Sequence, residues 1–412
     1  MSDRIRGTAR TLGATIRDGW LILGVCLAML AAIEVAYRGQ SSARNALRSL
    51  RSRGPVRHPY ADSAWFPQYL REYDGTFHMH WKPFVYFRRP PFASSMINID
   101  SSGHRRTISA SHVATDTSRI FFFGGSTMWG SYLRDSATIP SIVSRRLTAN
   151  PSAGTTFEVI NFGESGWVFT QELLELELQL RAGNVPNIVV FFDGMNDVGS
   201  AAQSGQVGIP QNEVNRSREF EFGRAIFGTE TGVGTDFRAG RAIGSAILLR
   251  LQFLQRLVAA LAKGAPQRSS SELSEAYVHM YAGNVDLVEA LSHAYGFSVI
   301  YVWQPSLHAT LKTPTRWESQ LLASNGRDGF YQRLQAIHRA LPPLLEAAVK
   351  PKVGIRFVNM AAAFRGDTSS VFTDALGHYT EKAIPTIVDG FWPQLSAMID
   401  SMHASGGHSR TR

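Results

Sequence analysis

At 412 residues the chain is longer than an ordinary single domain, and its 44% hydrophobic and 18% charged residues describe a globular protein with ample core rather than a disordered one. The net charge of +9 comes mostly from arginine, much of it near the N-terminus, with no helix-turn-helix, zinc or RNA-binding pattern beside it. A membrane surface, not a nucleic acid, is the partner such charge fits. Cys26 is the only cysteine, which excludes an intramolecular disulfide and a cysteine-based metal site.

Residues 1–18 form a basic segment containing Arg4, Arg6, Arg10 and Arg17. Residues 19–37, GWLILGVCLAMLAAIEVAY, are apolar except for Glu34, and the run is near the lower limit of about 17 residues needed to cross a hydrocarbon core. Trp20 and Tyr37 stand where interfacial aromatics belong. The expectation is a single-pass transmembrane anchor. A cleaved signal peptide shares the basic start and apolar middle, but no clear small-x-small cleavage site follows, and a buried core helix is the third reading. Orientation divides two arguments. Arg38, Arg44, Arg48, Arg51, Arg53 and Arg57 outnumber the arginines before the run, and a literal positive-inside count keeps the large domain in the cytoplasm. A short polar N-terminus ahead of a signal anchor usually stays inside, which puts the domain on the extracytoplasmic side; that reading is adopted.

Residues 38–58, rich in Ser and Arg without apolar period, read as a basic linker. Residues 59–115 are aromatic and Pro-rich, and suggest short strands and loops laid against the main domain as a preface to it. From 116 to 403 the pattern alternates. Short apolar runs at 119–124, 157–162, 187–193, 296–303 and 354–360 read as buried parallel strands. Helical patterns separate them at 139–147, 171–181, 275–295 and 329–349. The fold class is α/β: a three-layer α/β/α arrangement, flavodoxin-like, with a five-stranded, mainly parallel sheet after the N-terminal transmembrane helix. An insertion at about 199–271 interrupts the rhythm, either as a lid or as a packing excursion, and residues 404–412 read as a flexible tail.

In an open parallel sheet, ligands bind beyond the carboxyl ends of the strands. The residues that follow the strands here are Gly124-Gly125-Ser126-Thr127, Asn161-Phe162-Gly163-Glu164-Ser165-Gly166, Asp193-Gly194-Met195-Asn196-Asp197 and Thr373-Asp374-Ala375-Leu376-Gly377-His378. Each has an ordinary reading by itself. Ser126 serves as well as a helix cap or phosphate-loop hydroxyl, Gly163 as a turn, Asn196 and Asp197 as caps or structural hydrogen-bond partners, and His378 as one of twelve histidines. Together, in this order and at strand ends, they point to nucleophilic catalysis.

The set resembles the SGNH hydrolases, also called GDSL-type esterases and lipases, over about residues 120–387. Ser126, Gly163, Asn196 and His378 correspond to the family's four marker residues. The Ser block reads GGST in place of GDS, and Asp374 lies four residues before His378 where three is usual. The resemblance implies Ser126 as nucleophile, His378 as its general base, and Asp374 as the carboxylate that orients His378. It also implies an oxyanion hole built from the backbone N–H groups of Ser126 and Gly163 and the side-chain amide of Asn196. Glycine at 163 is expected to keep a side chain away from the acyl oxygen. No cofactor is implied.

The segment Ile97-Asn98-Ile99-Asp100-Ser101-Ser102-Gly103 ahead of the Ser block resembles that of bacterial membrane-anchored members. It implies hydrolysis of an O-acyl ester, such as an acetyl group, on a glycan or lipid at the cell envelope. An O-acyltransferase using the same residues and a non-catalytic glycan-binding scaffold are the alternatives. His78 and His80 lack partners at metal-ligand spacing, so no metal site is expected. Gly232, Gly234, Gly240 and Gly244 do not follow a strand and read as loop glycines rather than a nucleotide loop.

Overall fold

The computed structural model describes residues 2–51, 57–108, 117–149, 156–213, 216–217, 220, 268–326, 328–352 and 354–405. Most of the expected insertion, with its glycines 232–244, lies outside the described residues, as does most of the tail. The described start of the insertion completes a helix and continues to residue 213.

Among the described residues, the first unit is represented chiefly by the helix α1 (Ser2–Arg51). Within it, Arg17–Gln40 is long and apolar enough to cross a membrane. Glu34, the acidic residue within its apolar run, forms a 2.7 Å ion pair with Arg38 one turn on, and Asp18 at its start pairs with Arg17. The linker expected from residue 38 is helical as far as Arg51. The physical reason is legible in the sequence: after Gly39, SSARNALRSLR holds Ala, Leu and Arg, all good helix formers, and Gly54 and Pro55 follow only after it.

The second unit is built on five parallel strands, β5 (Thr117–Gly124), β6 (Thr156–Asn161), β7 (Ile188–Asp193), β8 (Ser298–Trp303) and β9 (Phe357–Asn359), arranged β6-β5-β7-β8-β9. Alternation along β5 sorts the core into two layers. Ile120 and Phe122 pack with Val190, Phe192, Ile300 and Val302 against α4 (Ile139–Ala149) and α10 (Ile384–Ser405). Phe121 and Phe123 pack with Val189, Phe191 and Tyr301 against α5 (Phe169–Arg181), α7 (Ser270–Tyr295) and α9 (Gly329–Val349). This is the expected three-layer α/β/α fold. Because β5 and β7 are neighbours while β6 turns back on the other side, the order reverses at β5/β7, where such sheets open a crevice.

The preface begins with α2 (Phe66–Gly75), which the sequence reading left without a helix. Its buried residues Phe66, Tyr69 and Tyr73 recur at helical spacing with Pro67 at its start, a short signal hidden among the surrounding aromatics. Two antiparallel pairs follow, β1 (His80–Lys82) with β2 (Tyr86–Arg88), and β3 (Phe92–Ala93) with β4 (Asn98–Ile99). A bridge from Arg105 to Asn161 joins the preface to β6. Arg105 is itself buried. It donates to Asp135 Oδ1 (2.9 Å), the Gly130 carbonyl (2.6 Å) and the Leu133 carbonyl (2.5 Å). Removing one partner of such a pair leaves a buried charge without its counter-charge, so Arg105→Leu is expected to cost about 3–5 kcal/mol in urea denaturation; a loss below about 1 kcal/mol would show that the pair is solvated.

Candidate active site

Ser126 opens the four-residue helix α3 (Ser126–Trp129) directly after β5. The two preceding glycines are required by contact. A Cβ on Gly124 would lie 2.6 Å from Met128 Cβ, and one on Gly125 would overlap the Asn196 side-chain nitrogen. Glycine at 125 therefore allows the Ser and Asn blocks to meet. The Ser126 N–H, at the first position of a helix, has no acceptor among the described residues.

His378 Nε2 lies 2.7 Å from Ser126 Oγ, and His378 Nδ1 lies 2.6 Å from Asp374 Oδ2. Asp374 Oδ1 accepts the backbone N–H groups of Leu376 (2.9 Å) and His378 (3.3 Å). The additional residue between Asp374 and His378 is absorbed by a turn in which Gly377 takes the left-handed conformation (φ 84°). Burial raises the Asp374 pKa, but the charge of His378 and the hydrogen bonds from its ring, its N–H and Leu376 outweigh that effect and hold the carboxyl below its ordinary value. The loop is fixed from behind. Glu318 in α8 (Arg316–Asn325), fully buried against Lys312 (2.8 Å), accepts the N–H groups of Val371 (2.9 Å) and Phe372 (3.3 Å). His308 Nε2 lies 2.7 Å from the Ala375 carbonyl.

Asn196 stands in the first turn of α6 (Met195–Ser204), after β7. Its Nδ2 donates to the Trp167 carbonyl (2.8 Å), leaving the second amide hydrogen for another acceptor, and its Oδ1 accepts from Gln211 Nε2 (3.3 Å). Asp197 grips the same loop, accepting the Phe169 N–H at 3.1 Å.

Gly163 requires a correction. Its N–H donates to Asn161 Oδ1 at 2.9 Å, so it is engaged within its own block. A Cβ there would strike the Met128–Trp129 backbone, so close packing of α3, not room for an acyl oxygen, is what requires glycine. Gly166, three residues on, is left-handed (φ 79°), and its N–H has no acceptor among the described residues. It precedes the Trp167 carbonyl held by Asn196. The sequence carried a signal for it in the second glycine of NFGESG.

Two further residues at the site were not singled out from the sequence. Tyr132 lies with its ring 5.5 Å from that of His378 and is left-handed (φ 65°), a strained conformation for an aromatic residue. His58 stacks on Phe66 at 4.6 Å and meets the Trp317 ring edge-on at 5.2 Å. Burial holds its pKa down, against the opposing influence of Asp374. His78 and His80 are exposed on the preface.

Behind Asn196 lie Glu172, Asp193 and Asp197, all buried, beside Tyr277 and Tyr281. Burial and mutual repulsion push Glu172 and Asp193 well up, and burial pushes Asp197 up to about 7. Between the unfolded value, about 3.9, and the folded one, the native protein retains a proton that the unfolded chain releases, so rising pH favours unfolding. In Asp197→Asn that drain is absent. The melting temperature of the variant is expected to gain on the wild type as pH rises from 4 to 7 and to run parallel above pH 8; a constant difference would mean that Asp197 is ionised throughout.

Sheet order and these contacts bring the Ser126, Asn196 and His378 blocks together at one edge of the sheet. Among solved structures, the chain is similar to a carbohydrate acetylesterase family member from Sinorhizobium meliloti (TM-score 0.37, 12% identity, covering 69% of this chain and 99% of that one). It is also similar to a lipolytic protein of the G-D-S-L family from Veillonella parvula (0.34, 11%, 67% and 96%) and to the acetyl xylan esterase AlAXEase (0.35, 14%, 67% and 98%). Neither a protein-family model nor a curated protein sequence matches the chain.

Proposed function

We propose that the protein is a serine ester hydrolase acting through an acyl-Ser126 intermediate. The observation that carries this reading is the continuous chain of contacts from Ser126 Oγ through the His378 ring to Asp374. Ser126 Oγ attacks the ester carbonyl as its proton passes to His378 Nε2. Asp374 holds the Nδ1 hydrogen and stabilises the imidazolium. When the tetrahedral intermediate collapses, the C–O bond to the alcohol breaks and His378 returns the proton to the leaving oxygen. Water then attacks the acyl-enzyme, gives its proton to His378, and releases the acid as Ser126 recovers the proton.

The oxyanion is held by the Ser126 N–H and the free amide hydrogen of Asn196. Gly166 supplies the third donor in place of Gly163, because its N–H is uncommitted and its loop is the one Asn196 grips. The substrate class is an O-acyl ester, such as an acetyl ester, of a glycan or lipid. The apolar stretch Arg17–Gln40 supports a membrane placement; a cell-envelope site with the catalytic domain on the extracytoplasmic side is part of the proposal.

The test is fluorophosphonate labelling and p-nitrophenyl acetate turnover by the full-length chain in detergent. Labelling is expected to vanish in Ser126→Ala, and turnover to vanish in both Ser126→Ala and His378→Ala. A folded native protein that neither labels nor turns over would overturn the proposal. Asn196→Ala is expected to lower kcat by about 100- to 1,000-fold, with a smaller change in KM; a loss confined to KM would place Asn196 in ground-state binding instead. Product analysis with a sugar acceptor present separates hydrolysis from acyl transfer.

A further inference from the structure

The β1–β2 hairpin presents an aromatic surface that the chemistry at Ser126 does not use. Trp81 is 68% and Phe84 65% exposed, large apolar areas to leave in water. The backbone enforces the display. Phe84 (φ 69°) and Tyr86 (φ 71°) are both left-handed, a conformation that disfavours aromatic side chains. The base of the hairpin is pinned. Val85 is buried and its carbonyl accepts from Gln171 Nε2 (2.8 Å), while the Tyr86 hydroxyl donates to Glu213 Oε1 (3.2 Å).

The surface leads toward the catalytic edge. Trp81 pairs with Phe87 across the ladder, so the two side chains share a face of the hairpin. The Phe87 ring comes within 3.9 Å of where a Cβ on Gly166 would lie, and the Tyr86 ring stands 5.4 Å from that of Trp81. Gln211 completes the path: its Oε1 would be 3.4 Å from that same Cβ position, and its Nε2 donates to Asn196. The aromatic face and the oxyanion loop are thus parts of one continuous surface.

We propose that this hairpin is a glycan-binding subsite in which a pyranose ring of an O-acylated saccharide stacks on Trp81, backed by Tyr86, while its ester reaches Ser126. The inference rests on the esterase reading and deepens it by choosing the substrate class. An acyl chain calls for a concave apolar pocket. Here Trp81 and Phe84 stand exposed on a hairpin pinned at its base, with the Tyr86 ring beside Trp81, and an exposed indole face suits the apolar C–H face of a sugar.

The experiment uses the full-length chain in detergent micelles. Ser126→Ala protein is titrated against an array of neutral and O-acetylated oligosaccharides, with and without Trp81→Ala. Binding is expected to weaken by about three- to tenfold in Trp81→Ala and to recover largely in Trp81→Phe. With native Ser126, the ratio of kcat/KM for an acetylated oligosaccharide to that for p-nitrophenyl acetate is expected to fall by the same factor in Trp81→Ala. Leu287→Ala, an exposed apolar change on α7, should leave that ratio alone. Absence of binding across the array, or binding insensitive to Trp81→Ala, overturns the platform. Loss of turnover of both esters by the native protein overturns the esterase reading instead, and the titration still judges the platform.

Discussion

The catalytic edge of the sheet depends on one indole held between two buried cations. Trp129, the last residue of α3, has the Arg89 guanidinium 3.9 Å from its ring centroid and that of Arg105 at 4.3 Å. Each cation is neutralised by a carboxylate from a loop at the site. Arg89 pairs with the fully buried Glu164 in the loop after β6, and Arg105 with Asp135 beyond α3. Taking such charges out of water is costly, and it is sustained only when nearly every donor finds an acceptor, as it does around Arg105. Both arginines come from the preface, so the segment ahead of the sheet is a buttress for the loops that carry Gly163, Gly166 and Ser126. Arg88 extends the pattern, lying 4.4 Å over Trp167, the residue whose carbonyl Asn196 holds.

Much of this was legible in the sequence. The five strands announce themselves as short apolar runs because a parallel strand covered on both faces has no polar side to show, as in the wholly buried β7. The site residues could be found because a strand-end turn at a topological switch point must present its chemistry within a few residues. Less could be read where structure is set by distant partners. Short α2 has its pattern hidden among aromatics that belong to a tertiary cluster with Trp129. The choice between Gly163 and Gly166 turned on which N–H was already engaged, and that depends on the Asn161 side chain. The extent of α1 was misread for another reason. The change from apolar to basic composition does not end the helix, because the run Ser41–Arg51 is rich in helix formers and carries α1 past Gly39.

Carboxylates at this edge fall into two electrostatic classes. Asp374, with a quarter of its side chain exposed, is supplied with a ring and two backbone N–H groups and is held in its charged form. Glu172, Asp193 and Asp197 are buried together, where burial favours retained protons on all three and neighbouring carboxylates add to the effect on Glu172 and Asp193. The contrast follows from the donors available, not from the residue type. It lets neighbouring parts of the structure hold Asp374 as an anion beside His378 while Asp197 accepts the Phe169 N–H in the loop that Asn196 grips.

The Asn196 nitrogen occupies the volume a methyl group on residue 125 would need. Positions 125 and 196 therefore behave as a single steric unit, although 71 residues separate them along the chain. A larger residue at 125 displaces the amide without removing any buried apolar contact, so under the proposed mechanism it would disarm the oxyanion side while the sheet stayed folded. A shorter residue at 196 makes room at 125. Drift that begins at either position thus relaxes the constraint on the other, and a descendant that had lost the chemistry would carry that history as a side chain at 125 together with a truncated one at 196.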